Sequence, residues 1–401
     1  MYTPLTEHTV ADYVKHTPAV WAVVFQPDDD LVGIDLADGN VNLVFRVHSA
    51  ADPLGRSVIV KQALPYARIV GESFPMPLER ARIEADLLQI EARHCPGLVP
   101  RLYHYDDDMH LCVMQDLNQH MIMRKGLVNQ TIYPHFAEHI GVFMARTLFY
   151  TSDLYLPHDV KKQNMAAHIN PGLCKVTEDL VFTDPYMDNP GNVWNPAIDA
   201  EAAAIRADDA LRAEMFTLKY AFMTKAEALI HGDLHTGSIM VNADDTKVID
   251  PEFAFYGPMA FDIGLVMANL ALSHCSQAYH APDAHTRATY QTWLTDTMRA
   301  TWHIFEREFR RLWATDLNSQ WATDAFREQY IKRVLQETAA FAAAETLRRI
   351  LGLAHTYDLE SIPDLEARAD AERRALTIGR RWLMGYRQIE SIDDLARVVT
   401  D

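Results

Sequence analysis

The chain has 401 residues, of which 49% are hydrophobic and 23% charged, enough to bury a full core and to build two lobes. Its formal net charge of −18 repels nucleic acid and anionic membrane surfaces, so neither is an expected partner, and an anionic ligand needs a local positive cluster or a metal. Cys95, Cys112, Cys174 and Cys275 lie far apart with no Cys-x-x-Cys pair, Met1 to Tyr13 lacks a signal-peptide core, and no run reaches the roughly 18 apolar residues of a membrane helix, so a reducing cytoplasm is expected.

Along the chain, Thr9 and Asp12 make a capping-box-like start for a short helix. Trp21 to Phe25 and Leu43 to Val47 read as strands around an Asp38-Gly39-Asn40 turn, and Ser57 to Leu64 alternates as another. Leu78 to Ala92 reads as a helix with Ala81, Glu84, Leu87 and Leu88 on one face, followed by a hairpin, Arg101 to Tyr105 and His110 to Met114, around Asp106-Asp107-Asp108. Beyond about residue 117 long helical periods take over: Tyr133 to Tyr150, Ala200 to Thr224, Pro282 to Trp313 and Phe326 to Leu351. Val160 to Asn195, rich in Pro, Asn and Asp, is expected to loop over the surface, and Lys247 to Ile249 is a short strand. The expected class is α+β, with a small sheet-rich lobe over residues 1–116 and a larger, mainly helical lobe over 117–401.

The sharpest segment is Ala228-Leu-Ile-His-Gly-Asp-Leu-His-Thr-Gly-Ser-Ile-Met-Val241, followed closely by Lys247-Val-Ile-Asp-Pro-Glu252. Alone, His231-Gly232-Asp233 or Asp250-Pro251-Glu252 fits a capped turn. Together, in order and flanked by strands, they supply what phosphoryl transfer needs: a carboxylate, Asp233, beside the attacking hydroxyl, and a second cluster, Asp250 with Glu252, to hold Mg²⁺ on phosphates. Lys61, in strand-like Val58-Ile-Val-Lys61, and Glu84, on the apolar helix face, have the separation of a phosphate-binding lysine and its ion-pair partner, although such residues are more often solvated. Arg348 and Arg349 continue the inward stripe of Tyr330, Val334, Thr338 and Glu345, so two guanidinium groups point inward and need an anion, either Glu345 or a ligand. His231 and His235 are four apart but lack the Glu of His-Glu-x-x-His and enclose a Gly, which argues against a zinc helix; His231 is read as a brace for the loop.

His231-Gly-Asp-Leu-His235 resembles the catalytic loop of aminoglycoside phosphotransferases and choline kinases. With Asp250-Pro-Glu-Phe-Ala-Phe-Tyr-Gly-Pro-Met259, Phe261-Asp-Ile-Gly264 and the arginine pair, the chain is similar to the methylthioribose kinase family. The resemblance spans both halves, from Asn40 to Arg348. It implies a protein-kinase-like bilobal fold, a small antiparallel sheet with one main helix over a helical lobe, and ATP- and Mg²⁺-dependent phosphorylation of the 1-hydroxyl of 5-methylthioribose in methionine salvage. It also implies that residues 1–116 carry ATP, that Asn40, Lys61, Glu84, Asp250, Pro251 and Glu252 contact nucleotide or metal, and that Gln115-Asp116-Leu117 is the hinge offering backbone groups to adenine. Asp233, Arg348 and Arg349 fall at the sugar site, and a homodimer is implied. Two positions depart from the pattern: Ser238 stands where most kinases carry a metal-binding Asn, a change Glu252 would offset, and Gln115 stands where related enzymes usually have an acid. A kinase of choline, homoserine or an aminoglycoside is the alternative, and a nucleotide-binding pseudokinase the remaining one; the inward arginines argue against cationic acceptors.

Overall fold

The computed structural model describes residues 2–37, 41–68, 71–318 and 323–401. The first part runs α1 (Glu7–Lys15), α2 (Pro18–Val24), β1 (Leu31–Asp35), β2 (Asn42–Ser49), β3 (Ser57–Ala63), β4 (Tyr66–Ala67), β5 (Gly71–Pro75), α3 (Arg80–His94), β6 (Leu102–Asp106) and β7 (Leu111–Gln115). Five of these strands form an antiparallel sheet in the order β1-β2-β3-β7-β6. Alternation along β3 sorts its side chains between two faces. Val58 and Val60 join Phe45, Val47, Leu111 and Val113 under α1 and α2, whereas Ile59, Cys112 and Met114 pack into the main core with Leu88 of α3. Lys61, opposite Cys112 in the register, falls on this second face. A one-residue slip of β3 would turn it into the apolar cluster on the other side.

The larger part runs β8 (Met121–Ile122), α4 (Met123–Val128), α5 (Phe136–Tyr150), α6 (His158–Ala167), α7 (Pro171–Leu180), α8 (Asp199–Ala207), α9 (Asp209–Thr224), β9 (Ala228–Ile230), β10 (Ile239–Val241), β11 (Thr246–Val248), β12 (Phe255–Gly257), α10 (Ala260–His280), α11 (Ala284–Asp316), α12 (Asp324–Leu351), α13 (Tyr357–Glu360), α14 (Leu365–Gly385) and α15 (Ile392–Thr400). The fold is the protein-kinase-like, bilobal α+β arrangement: an antiparallel sheet lobe with one main helix, α3, on a mainly helical lobe. Two small antiparallel ribbons, β11-β10-β8 and β12-β9, frame the segments that carry the motifs. Residues 231–238 connect β9 to β10, and residues 249–254 connect β11 to β12.

The central helix α10 is buried over nearly its whole length from Ala260 to Gln277 and packs on α11, α12 and α14. Gly264 permits its close approach to α12. A Cβ there would stand 2.8 Å from both the Ala342 nitrogen and the Phe341 Cβ.

Several sequence expectations change. Trp21 to Phe25 is not a strand but belongs to α2, which Pro18 starts at the first helical position, where its missing N–H costs nothing. The helix expected from Thr9 begins earlier: Thr6 is its cap, and the Thr6 N–H donates to Thr9 Oγ1 at 2.8 Å. The Val160 to Asn195 segment, expected to loop over the surface, holds most of α6 and all of α7, and Pro171 is again a helix start. The helix expected from Ala200 to Thr224 is two, divided at Asp208, whose carboxylate accepts the Leu211 N–H at 3.1 Å and so caps the second. The Asp38-Gly39-Asn40 turn lies outside the described residues.

Gly264→Val inserts a branched side chain against backbone atoms and is expected to lower stability by about 2 kcal/mol or more. Urea unfolding with the slope unchanged and the midpoint lowered checks this.

Candidate active site

The loop between β9 and β10 is held from beneath by α10. The Asp262 carboxylate, in the first turn of that helix, accepts the His231 N–H at 2.7 Å and the Gly232 N–H at 3.0 Å. Gly232 has φ +80°, and a Cβ there would meet the Phe253 carbonyl oxygen at 2.4 Å, so only glycine fits. His231 Nε2 donates to the Ile249 carbonyl at 3.0 Å, leaving Nδ1 to accept the Asp233 N–H at 3.3 Å. Through His231 the loop is tied to the residue just before Asp250. The Asp233 side chain keeps 26% of its surface open. Burial pushes its carboxyl up to about 6, against the opposing pull of Arg349 and Arg348, so it ionises within reach of neutral pH and can accept a proton.

The second centre gathers residues from three elements. Lys61 Nζ of β3 lies 2.8 Å from Glu84 Oε2 of α3, is bonded to Asp250 Oδ1, and lies 4.0 Å from Glu252 Oε2. Burial alone would lower the Lys61 ammonium, but the charges of Asp250, Glu84 and Glu252 outweigh it and hold it well above its usual range. Asp250 adopts the left-handed conformation, φ 70° and ψ 43°, uncommon for a residue with a Cβ. Pro251 starts the short turn that follows and carries Glu252 inward. The Asn170 side-chain amide, ahead of α7, donates to the Glu252 carbonyl at 2.9 Å and the Ala254 carbonyl at 3.2 Å and fixes this turn.

Sequence reasoning missed Arg80, which is fully buried and donates from Nε to Glu252 Oε2 at 3.2 Å and from Nη2 to Asn42 Oδ1 at 2.8 Å. Asn42 in turn donates to Glu252 Oε2 at 2.9 Å. Three carboxylates therefore face two cations, Lys61 and Arg80. The shortage of positive charge matches the upward push that burial, Asp250 and Glu252 give Glu84 against Lys61. One oxygen from each of Glu84, Asp250 and Glu252 lies within 4.8 Å of the others, a hard-oxygen set that fits a divalent cation.

The third cluster approaches Asp233 from α12. Glu345, fully buried on α12, accepts Arg348 Nε at 2.6 Å and Arg349 Nε at 2.7 Å. These two guanidiniums hold its carboxyl down at about 2 despite burial. Arg348 Nη2 reaches to 4.0 Å from Asp233 Oδ1. A third arginine, Arg124 of α4, was not anticipated from its place in Met123-Arg124-Lys125. Its Nη2 donates to Asn269 Oδ1 at 2.9 Å, its Nε to Thr236 Oγ1 at 3.3 Å, and it faces buried Asp358 at 3.6 Å. Asn269 passes the link to Glu345 through its Nδ2 at 3.3 Å.

At the junction after β7, the Gln115 N–H and side chain both pair with the Arg101 backbone, at 2.8 and 3.2 Å. The Asp116 carboxylate accepts Arg46 Nε at 2.6 Å and Ser57 Oγ at 2.7 Å. Both side chains are thus occupied within the sheet lobe. Leu117 is buried, with its carbonyl accepting the His120 N–H. Asn40 lies outside the described residues.

A kinase-type fold in which a loop carboxylate lies 4.0 Å from an arginine cluster, on a loop that His231 ties to the segment leading into a lysine-centred carboxylate cluster, defines a phosphotransferase. The model of the phosphotransferase enzyme family matches residues 34–303. The chain is similar to methylthioribose kinase 1 of Oryza sativa subsp. japonica, 43% identical over 98% of this chain and 94% of that protein. It is also similar to the methylthioribose kinase of Geobacillus kaustophilus (strain HTA426), 40% identical over all of this chain and 98% of that one. Among solved structures, a glucosamine kinase in complex with glucosamine, ADP and inorganic phosphate shares the fold with a TM-score of 0.53 and 14% identity, over 92% of this chain and 85% of that one. The chain belongs to the methylthioribose kinases within the phosphotransferase enzyme family.

Glu345→Gln would leave Arg348 and Arg349 without their buried anion, an expected loss of about 3–5 kcal/mol at neutral pH. Because folding depresses this carboxyl, its contribution is fully present above its ordinary value of 4.5 and is lost as pH falls toward about 2. Denaturant melts of both proteins across that range should show the gap closing on the acid side.

Proposed function

We propose that this enzyme transfers the γ-phosphoryl group of ATP to the 1-hydroxyl of 5-methylthioribose, giving 5-methylthioribose 1-phosphate and ADP, a step of methionine salvage. The observation that carries the reading is the position of Asp233, open to the cleft, with Arg348 on one side and the Lys61 cluster across the loop that His231 ties to Asp250. The similarity to methylthioribose kinases over nearly the whole chain supplies the acceptor.

Asp233 accepts the proton of the 1-hydroxyl as that oxygen forms its bond to the γ-phosphorus and the bond to the ADP oxygen breaks. Lys61, oriented by Glu84, takes the phosphates, exchanging part of its contact with Asp250 for them. Arg348, and Arg349 beside it, donate to the sugar hydroxyls and to the charge on the phosphoryl group in flight. Asp250 and Glu252 are assigned to Mg²⁺, with Glu84 within reach; bound there, the ion neutralises phosphate charge. In this reading residues 1–116 carry the nucleotide, with Gln115-Asp116-Leu117 as hinge, Pro251 in the metal turn and Asn40 near ATP, and residues 117–401 carry the acceptor site. Free cysteines throughout suit a reducing cytoplasm, and the family resemblance supports a homodimer. Among the described residues no helix is long and apolar enough to cross a membrane.

Coupled ADP-release assays with 5-methylthioribose, choline and an aminoglycoside decide the acceptor. Turnover is expected with the sugar alone, to fall about 10³-fold in Asp233→Ala and about 10²-fold in Arg348→Ala, and to reach background when EDTA removes the metal. Sugar-independent ATP hydrolysis only, or full turnover in Asp233→Ala, contradicts the assignment. Because Asp233 must be ionised to accept a proton and its carboxyl sits at about 6, kcat should fall as pH drops through that value.

A further inference from the structure

His235, two residues beyond the catalytic carboxylate, has hydrogen-bond partners that settle where its proton lies. Its Nδ1 accepts from the Gly237 N–H at 3.0 Å and the Ser238 N–H at 3.1 Å, and Ser238 Oγ lies 3.2 Å from the same atom. A ring nitrogen that accepts two backbone N–H groups carries no proton, so the proton of the neutral ring is on Nε2. Nε2 lies 3.4 Å from Asp233 Oδ2.

The surroundings keep the ring neutral. The His235 side chain, 14% exposed, is faced by Arg124 from α4 and by Arg348 and Arg349 from α12, with Asp233 of its own loop as the anion beside it. Burial first, and then the three guanidiniums, hold it well below the usual histidine range. A second proton would also have to go on Nδ1 and displace the two backbone donors. The Ser238 hydroxyl, at the position where kinases usually place a metal-binding Asn, lies against the same ring nitrogen at 3.2 Å.

We propose that His235 is a positioning residue for phosphoryl transfer: its Nε2–H, facing Oδ2 of Asp233 at 3.4 Å, orients that carboxylate and leaves Oδ1 for the acceptor hydroxyl, and the Gly237 and Ser238 N–H groups fix the tautomer that makes this possible. The role rests on the reading of Asp233 as the proton acceptor, but the tautomer does not.

Two measurements therefore go together. In the ¹⁵N-histidine NMR spectrum of the unliganded full-length protein, the resonance lost in His235→Gln should report an Nε2–H tautomer at neutral and mildly alkaline pH. An imidazolium or an Nδ1–H tautomer overturns the proposal whatever the protein phosphorylates. In turnover, His235→Ala should lower kcat on the order of 10²-fold with the KM for ATP little changed, and should move the acid limb of kcat to higher pH because the ionised carboxylate has lost a donor. His235→Gln, whose amide N–H can replace Nε2–H, should restore most of kcat and the original limb. Equal losses in both variants with an unmoved limb would mean that His235 only packs. Absence of sugar-dependent turnover in the wild type would instead defeat the functional reading and leave the tautomer to be decided by the spectrum.

Discussion

One buried ammonium joins the elements on which the rest of the site depends. Lys61 brings together the central strand of the sheet, the helix α3 through Glu84, and the turn after β11 through Asp250. Alone, the nearly buried Lys61 ammonium or the buried Glu84 and Glu252 carboxylates would be strongly disfavoured; their mutual attraction, joined by the half-exposed Asp250, makes the arrangement tenable. The sheet's register, the apolar face of α3 and the left-handed Asp250 can each be understood as conditions for placing these groups at one point. Arg80 and Asn42 extend the join, since both belong to the sheet lobe and both grip Glu252 of the helical lobe.

The charge balance divides the cleft into two unlike halves. Around Lys61 the carboxylates outnumber the cations, which suits a divalent ion and repels free phosphate unless that ion accompanies it. Around Arg348 the buried acids Glu345 and Asp358 face three guanidiniums, so the remaining positive charge is matched by Asp233. In the proposed reaction the phosphoryl group would leave the carboxylate-rich side, which fits a divalent ion, and enter the side that supplies fixed arginine donors. Asp233 stands at the boundary, and an overall charge of −18 makes the local arginine cluster the more important for any anionic group.

Much of this was legible in the sequence where chemistry and periodicity coincide. Lys61 could be found because it interrupts an alternating strand, Glu84 because it lies on an apolar helix face, and Arg348-Arg349 because they continue an inward stripe. The two acidic tripeptides gained meaning from their order and spacing. Arg80 and Arg124 gave no such signal: each lies at the start of a helix, where an arginine ordinarily reaches solvent, and only tertiary packing buries them. The helix α10 was illegible for the opposite reason, since a segment buried on every side has no amphipathic period to detect. The proline-rich composition of Val160 to Asn195 suggested a loop, but Pro171 begins α7, because a residue that breaks a helix interior fits the first turn, as Pro18 does in α2. Ser238 looked like a weakened metal ligand because its actual partner, the ring of His235, depends on the turn of the loop and not on spacing alone.

In the proposed reaction this site joins phosphate to the anomeric oxygen of a thiosugar. Phosphorus NMR of the product formed from ATP and 5-methylthioribose tests it most directly. A phosphorus resonance coupled to the anomeric proton is predicted, together with one ADP for each ester formed. Coupling to a proton on another sugar carbon, or inorganic phosphate as the only new species, would contradict it.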